Sequence, residues 1–533
     1  MSRPVRYIIK FGPDLFEEAP AEEFGNKAEG LATMAGLGIP VPPGFSLNVC
    51  VCEDYYNNGK KIPEYLPDLL NKNIAFIEKA TGSGFGSSRR PLLISVRSGA
   101  PVSMPGIMDT LLNVGLNRET LRGLIFLTGN PRFAWDTYRR FMQNFGEIVF
   151  GQDPAVFQSL LLEKMKQEAV PDEVELDSGS LKELVSEYER VFFTGTGRRF
   201  PEDVYEQLIL AVEGVIKSWH NPRAEAFRKI HTVGEARGTG VTVQAMVFGN
   251  MGSHSGAGVA FTRNPWQGDN ELVVDFKFGA QGEDVVSGDQ SATTQKELSS
   301  AMPGTFEELR KTAKKLEMHF RDMQDIEFTV QEGELYLLQT RSGKRSPYAA
   351  LKIAVNMCQE GIISPADVMY MIRDIDIDAI TLQRVKSKDY PVAIGIPASS
   401  GVASGKIVLS SQRAETEAKS GSDTILVRET ASPDDLPGIN VARGILTARG
   451  ARTSHAAVVA RQMGKICVVN CSTLEINASR HRCYLGGQEL REGEIITIDG
   501  NSGMVYIGAV EVIDERPEDL VALVRSWENT IQM

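Results

Sequence analysis

Arg449–Cys471 reads RGARTSHAAVVARQMGKICVVNC. The run just before it, GILTA, has the aliphatic pattern of a strand and leads into a glycine-containing turn. Thr453 and Ser454 then offer hydroxyl N-caps to a helix beginning near His455. A helix start presents unpaired N–H donors and a partial positive charge, which favours an anionic group carried on the imidazole. Ala456 and Ala457 are short enough to leave room for a bulky polyphosphate. A neutral imidazole, with an unperturbed pKa of about 6.5, is a competent nucleophile near neutral pH. A lone histidine in such a place is equally often a capping or surface residue, so the surrounding sequence has to decide.

Around this stretch, residues 390–511 hold short strands (GKIVL, DTILV, ICVVN, EIITID, GMVYIG) about one helical run. Upstream, LQRVKSKDYPVAIGIPASSGVASG is rich in Gly, Ser and Pro and marks a domain boundary. Residues 347–388 read as amphipathic helices with a charged connector. Residues 239–341 are strand and turn: VTVQAMVFG, GVAFT, ELVVDF, DIEFTV and ELYLLQTR, the last two joined by a Glu-Gly turn that predicts a tight hairpin. Residues 117–235 are helical, with apolar positions at three- and four-residue spacing in FAWDTYRRFMQNFG and PEDVYEQLILAVEGVIKSWH. Residues 1–115 alternate glycine-rich turns with short runs such as PLLISVRS, and the last twenty residues read as a short polar helix and tail.

The chain has 533 residues, 42 % hydrophobic and 24 % charged, enough for several separate cores. A net charge of −12 with mixed signs argues against a nucleic-acid-coating surface. No apolar run reaches the roughly 18 residues of a membrane span, and the start, MSRPVRYIIKFG, is too short and polar for a signal peptide. Six cysteines without a paired framework read as reduced and cytoplasmic. Cys467, Cys471 and Cys483, near His481, read as small buried side chains, since a zinc site wants a tighter ligand pattern.

Other polar groups lie in patterns suited to phosphate. Lys27 and Arg97 are cations beside glycine-rich backbone. The loop Ser98–Met108, SGAPVSMPGIM, with Gly106 within it, has the turn formers and free amides to wrap a phosphate. Asp325 and Glu327 alternate along one strand, Gln339 and Arg341 along the next, and hairpin pairing gathers all of them on one face. Alternating polar residues also describe an ordinary solvent face.

TSHAAVVAR closely resembles the phosphohistidine signature of the pyruvate phosphate dikinase and phosphoenolpyruvate synthase family. The N-terminal half is similar independently: FGNKAEGLATMAGLGIPVPPGFSL, LLISVRSGAPVSMPGIMDTLLNVGLN, VQAMVFGN, GVAFTRNP, AQGEDVVSG and DIEFTVQEGELYLLQTRSGKR follow in the family's order. SGAPVSMPGIMDT and QGEDVVSG resemble the dikinase branch most. The resemblance implies an α/β (α+β) multidomain fold. An ATP-grasp nucleotide-binding domain would span 1–345, with a helical subdomain near 117–235. A helical linker would follow over 346–392, a swivelling β/β/α phosphohistidine domain over 393–511, and a C-terminal helix and tail over 512–533. It further implies ATP as substrate, with Mg²⁺ held by Glu327 and Gln339. Arg341 becomes the transition-state cation oriented by Asp325, and Arg97, Lys27 and Gly106 lie on the phosphates. Glu283 and Asp284 line the same site, and Arg139 or Arg140 reaches the phosphates. Gln244, in VQAMVFGN, belongs to the strand on the adenine side.

The sequence departs from the family's pattern at Ala257, where threonine is usual near the phosphate position, so phosphate and water both stand as takers of the γ-phosphoryl group. It departs again at Arg452, where methionine is usual, which adds a cation near the phosphohistidine. By length, no room remains after residue 511 for the family's (β/α)₈ barrel, which needs at least about 200 residues. The expectation is therefore that His455 takes the β-phosphate of ATP with release of AMP, and that a separate protein supplies the acceptor site. A stand-alone dikinase for a small acceptor and a non-catalytic nucleotide-binding regulator are the alternatives.

Overall fold

The computed structural model describes all residues except 1–5, 14, 101–107, 223, 226, 227, 229–237, 282–292, 387–389, 453 and 533. Two compact units emerge: Met1–Met251 with Tyr336–Thr340, and Gly252–Leu335 with Arg341–Met533.

The first unit is built on a six-stranded antiparallel sheet in the order Leu15–Phe16, Ile8–Gly12, Gly44–Leu47, Gly240–Ala245, Ile94–Gly99, Thr110–Val114. Its helical part contains Arg118–Thr128, Pro131–Phe150, Pro154–Glu168, Ser178–Thr196 and Val204–Ser218. The sequence punctuates these helices plainly. Asn117, Asn130, Asp153, Asp177 and Asp203 each cap an N-terminus with a side-chain oxygen, satisfying otherwise orphaned N–H groups. Phe133, Phe141 and Phe145, eight and four residues apart, bury one face of Pro131–Phe150 in a core shared with Tyr188, Phe192 and Phe200.

That same helix carries a buried charge cluster. Arg139 and Arg140 both pair with Asp136 and Glu173. Burial pushes the Asp136 carboxyl up, but Arg139 and Arg140 overcome it and hold the group at about 2.

The second unit opens with a five-stranded sheet, in the order Thr293–Thr294, Val273–Phe278, Gly256–Phe261, Gln324–Gln331, Glu334–Ser342. The predicted hairpin is present, and both turn residues, Glu332 and Gly333, have left-handed φ as a two-residue hairpin loop requires. Helices Pro347–Gln359 and Pro365–Ile372 pack on this sheet through Phe261, Trp266 and Met323. The expected helical linker is only partly helical. It ends in a strand, Leu382–Val385, that pairs antiparallel with Val512–Glu515, and Lys386 lies 3.0 Å from Glu511. The tail is also more than polar: Val521 and Val524 of helix Glu518–Gln532 are buried with the linker helices.

Between these paired strands lies an eight-stranded sheet, in the order Ala393–Ile394, Met504–Ile507, Ile495–Asp499, Val402–Val408, Thr424–Arg428, Gly444–Thr447, Ile466–Val469, Ile396–Ser399. The run from Val402–Val408 to Ile466–Val469 is parallel. Its crossovers include helices Ser411–Lys419, Leu436–Val441 and His455–Gln462, as parallel pairing demands. Cys467, Cys471 and Cys483 are buried among its aliphatic side chains. Among the described residues, no helix is long and apolar enough to cross a membrane.

The Asp136 cluster predicts an acid-sensitive first unit. A carboxyl held below its unfolded value, about 3.9, stabilises the fold above that value and loses its contribution as pH falls through about 2. Asp136→Asn, which leaves the buried Arg139 short of its carboxylate, should cost about 3 kcal/mol at pH 7. In urea unfolding followed by circular dichroism, the gap between the two proteins should close as pH falls from about 4 toward 2.

Candidate functional site

In the first unit, one close approach organises the predicted cations. Gly25 ends a short helical turn at φ 84°, and a Cβ there would lie 1.8 Å from the Gly99 carbonyl oxygen. The Asn26 amide donates to Ala100 O at 3.2 Å. Helix Asn26–Gly36, with half-buried Lys27 in its first turn, is thereby fixed against the end of the strand that carries Arg97. Arg97 Nη1 donates to Leu338 O at 3.2 Å, next to Gln339. Gly30 packs against Thr340 of the same segment. Lys27, Arg97 and Gln339 are thus drawn into one neighbourhood from three distant parts of the chain. Gly106 lies outside the described residues.

Two of the expected residues have partners inside this unit. Gln244 is buried in a central strand, and its amide donates to Pro42 O at 2.9 Å, which holds the 40–45 segment. Arg140 is engaged with Asp136 and Glu173, as is Arg139.

In the second unit, strand register builds a polar face. Val259 pairs with Asp275 on one side and Glu327 on the other, Phe261 with Asp325, and Ala257 with Lys277 and Thr329. Side chains opposite one another share a face, so Asp275, Lys277, Asp325 and Glu327 converge around Ala257 and Val259. Arg341 Nε donates to Asp325 Oδ2 at 2.8 Å. Burial pushes the Asp325 carboxyl up and Arg341 opposes it. For Arg341, burial works against the charge, but Asp325 and Glu327 outweigh it and keep the guanidinium cationic. Among the described residues, Asp325 Oδ1 has no hydrogen-bond partner although it is buried. Ala257 stands on this face, so the missing hydroxyl is missing from the site. Glu283 and Asp284 lie outside the described residues.

The histidine-bearing helix is where the sequence puts it. His455–Gln462 starts after Ser454, whose Oγ accepts from the Ala457 amide. The role expected of the alanines needs correction. Ala456 and Ala457 are buried with Ala398, Cys467 and Val469, so their small size lets the helix lie close to the sheet rather than clearing a path for polyphosphate. The side chain of His455 lies outside what the structure describes.

Two residues were missed by sequence reading. Asp275 is the lone acid in an apolar strand, a signal available in ELVVDF. Arg461 lies in the last turn of the His455 helix and donates to Ala398 O at 3.0 Å and Arg452 O at 2.8 Å. Burial pulls its guanidinium below the ordinary value, while Asp325 and Asp275 act to keep it charged. The carboxylate face therefore feels a cation from the His455 helix as well as Arg341.

Residues 60–303 and 290–361 match the family model described as pyruvate phosphate dikinase, AMP/ATP-binding domain. Residues 421–503, which contain the His455 helix, match PEP-utilising enzyme, mobile domain. The chain belongs to the pyruvate, phosphate dikinase family. It is 41 % identical over 539 residues to pyruvate, phosphate dikinase of Rhizobium meliloti, covering 98 % of this chain and 60 % of that protein. To the Clostridium symbiosum enzyme of that name it is 42 % identical over 504 residues, covering 93 % and 58 %. To pyruvate, phosphate dikinase 2 of Zea mays it is 43 % identical over 491 residues, covering 91 % and 56 %. The chain thus spans well under two thirds of these dikinases. Family membership gives the matched N-terminal region an ATP-grasp-like fold.

The Gly25 contact is testable directly. Gly25→Ala combines a left-handed φ with a backbone clash and should destabilise the first unit by more than about 3 kcal/mol. Gly38→Ala, at φ 67° with nothing within 4 Å, should cost only about 1–2 kcal/mol. Equal melting temperatures for the two variants would contradict the packing described.

Proposed function

We propose that this dikinase-family chain is an ATP-dependent phosphotransferase in which His455 is the nucleophile. In the first step, the imidazole attacks the β-phosphorus, the bond from that phosphorus to the oxygen bridging to the α-phosphate breaks, and AMP leaves. A pyrophosphoryl group then sits on His455. Inorganic phosphate or water next removes the γ-phosphoryl group, leaving phosphohistidine to carry the β-phosphoryl group to the final acceptor.

The observation that carries this reading is the presence, within one unit, of the Ser454-capped His455 helix and the Asp325–Arg341 face, with Arg452 Nη1 3.6 Å from Asp275 Oδ1 of that face. Phosphoryl transfer asks the protein mainly for alignment and charge neutralisation. Lys27 and Arg97 would bind phosphate oxygens, and Arg341, oriented by Asp325, would stabilise charge on the group in transfer. Glu283, Asp284 and Gly106 complete the proposed binding set from outside the described residues. The donor set also suits Mg²⁺, a hard cation that prefers oxygen ligands, and the buried Asp325 Oδ1 has no hydrogen bond among the described residues. Glu327 and Gln339 would hold the ion, which when bound neutralises triphosphate charge.

A histidine serving two sites has to travel. The paired strands Leu382–Val385 and Val512–Glu515 bring the incoming and outgoing chain side by side, a form suited to a tether on which the domain turns. We place the acceptor site on a separate protein, and the location in the cytoplasm, in keeping with the six free thiols.

Incubation with β-labelled ATP should label the wild-type chain at His455 and release AMP. His455→Ala should take no label, and equal labelling of that variant would end the proposal. Arg341→Met should slow labelling by about 10²–10³-fold, read as a single-turnover rate, while ATP binding by calorimetry persists. Pyruvate should be converted only when a second protein bearing an acceptor site is added. Turnover of pyruvate by the purified chain alone would place that site within it.

A further inference from the structure

Arg452 immediately precedes the Thr453–Ser454–His455 sequence, yet its side chain is directed at the nucleotide-side sheet. Its guanidinium lies 5.3 Å from the centroid of the Trp266 ring. Nη1 is 3.6 Å from Asp275 Oδ1, and Nε donates to Pro397 O at 3.3 Å. Trp266 is itself buried, and its Nε1 donates to Ala398 O at 2.7 Å. Beside it, Gln267 Nε2 donates to Asn501 O at 2.6 Å. Trp266 and Gln267 lie on the connection between strands Gly256–Phe261 and Val273–Phe278 of the five-stranded sheet, the second of which carries Asp275; Pro397 and Ala398 lie in strand Ile396–Ser399 of the eight-stranded sheet, and Asn501 in the turn between its strands Ile495–Asp499 and Met504–Ile507. Arg461 adds its bonds to Ala398 O and Arg452 O from the far end of the His455 helix.

These contacts have a common chemistry. A cation over an indole face, close to a buried carboxylate, is worth most when shielded from water. Asp275 is buried on the face that also carries Asp325 and Glu327, and Arg452 brings a cation to Asp275 itself. An arginine suits the task because its planar group stacks and donates at once.

We infer that Arg452 is a positioning residue, a latch that holds the His455-bearing domain on the nucleotide-side sheet through the Trp266 ring and the Asp275 carboxylate. The latch closes on the backbone of Pro397 and, through Arg461, on the start of the His455 helix. Releasing it frees the helix start from the carboxylate face without removing any group that touches phosphate. Its contacts stand independently of the ATP reading, while its effect on phosphoryl transfer rests on that reading.

The full chain carrying Arg452→Met tests this, since methionine keeps the length and apolar contact and deletes the charge. Hydrogen–deuterium exchange in the nucleotide-free protein should rise in peptides covering 264–278 and 396–399. The single-turnover rate of His455 labelling from β-labelled ATP should fall by about tenfold to a hundredfold, with ATP affinity changed less than about twofold. Asp275→Asn, which opens no cavity, should reproduce the rise in exchange. The charge swap Arg452→Asp with Asp275→Arg should restore protection above that of either single swap, a rescue that a merely structural loss would not show. Unchanged exchange in both Arg452→Met and Asp275→Asn would overturn the latch, as would faster labelling in Arg452→Met. A wild-type chain that takes no label would sink the ATP reading alone, and the exchange results would still decide the latch.

Discussion

Taking a carboxylate out of water costs several kcal/mol unless a cation comes with it, and the sheet face of Asp275, Asp325 and Glu327 in this protein is built around that cost. Strand register forces the three onto one side of the sheet, with Val259 between Asp275 and Glu327. Arg341 answers Asp325 from the adjoining strand. Arg452 and Arg461 come from the histidine-bearing domain and act on the same charges. The electrostatic debt of one sheet is therefore met partly by another domain, and this links where the histidine sits to how the nucleotide-side face is neutralised.

Other buried charges in the chain show what a purely structural solution looks like. Arg263, fully buried, forks onto Glu317 and Glu360 with donors at 2.7–2.9 Å. Arg139 and Arg140 share Asp136 and Glu173. The Asp325 face differs in having a buried oxygen without a hydrogen bond among the described residues. An incompletely satisfied polar site costs stability, and such costs are retained where binding or chemistry supplies the missing partner.

Much of this was legible in the chain itself. The caps Asn117, Asn130, Asp153, Asp177 and Asp203 announce their helices through local hydrogen bonding, which needs no tertiary partner. The hairpin turn at Glu332-Gly333 and the Ser454 cap before His455 are local for the same reason. The partners of Arg140 and Gln244 could not be read locally, because Glu173 and Pro42 lie 33 and 202 residues away in sequence. Ala456 and Ala457 look alike in sequence whether they face a ligand or a core, and only the sheet beneath them decides.

The sequence by itself determined the order of strands and helices, the capped helix start that carries His455, and the set of acids and cations available for phosphate chemistry, because propensity, capping and period are properties of neighbours along the chain. Tertiary structure alone decided which acids share a face, which arginines are already committed to them, and that Arg452 turns from its neighbour His455 toward Trp266 and Asp275. Those outcomes depend on strand register and on the desolvation of charges by parts of the chain far removed in sequence, and neither quantity is written in any local stretch of residues.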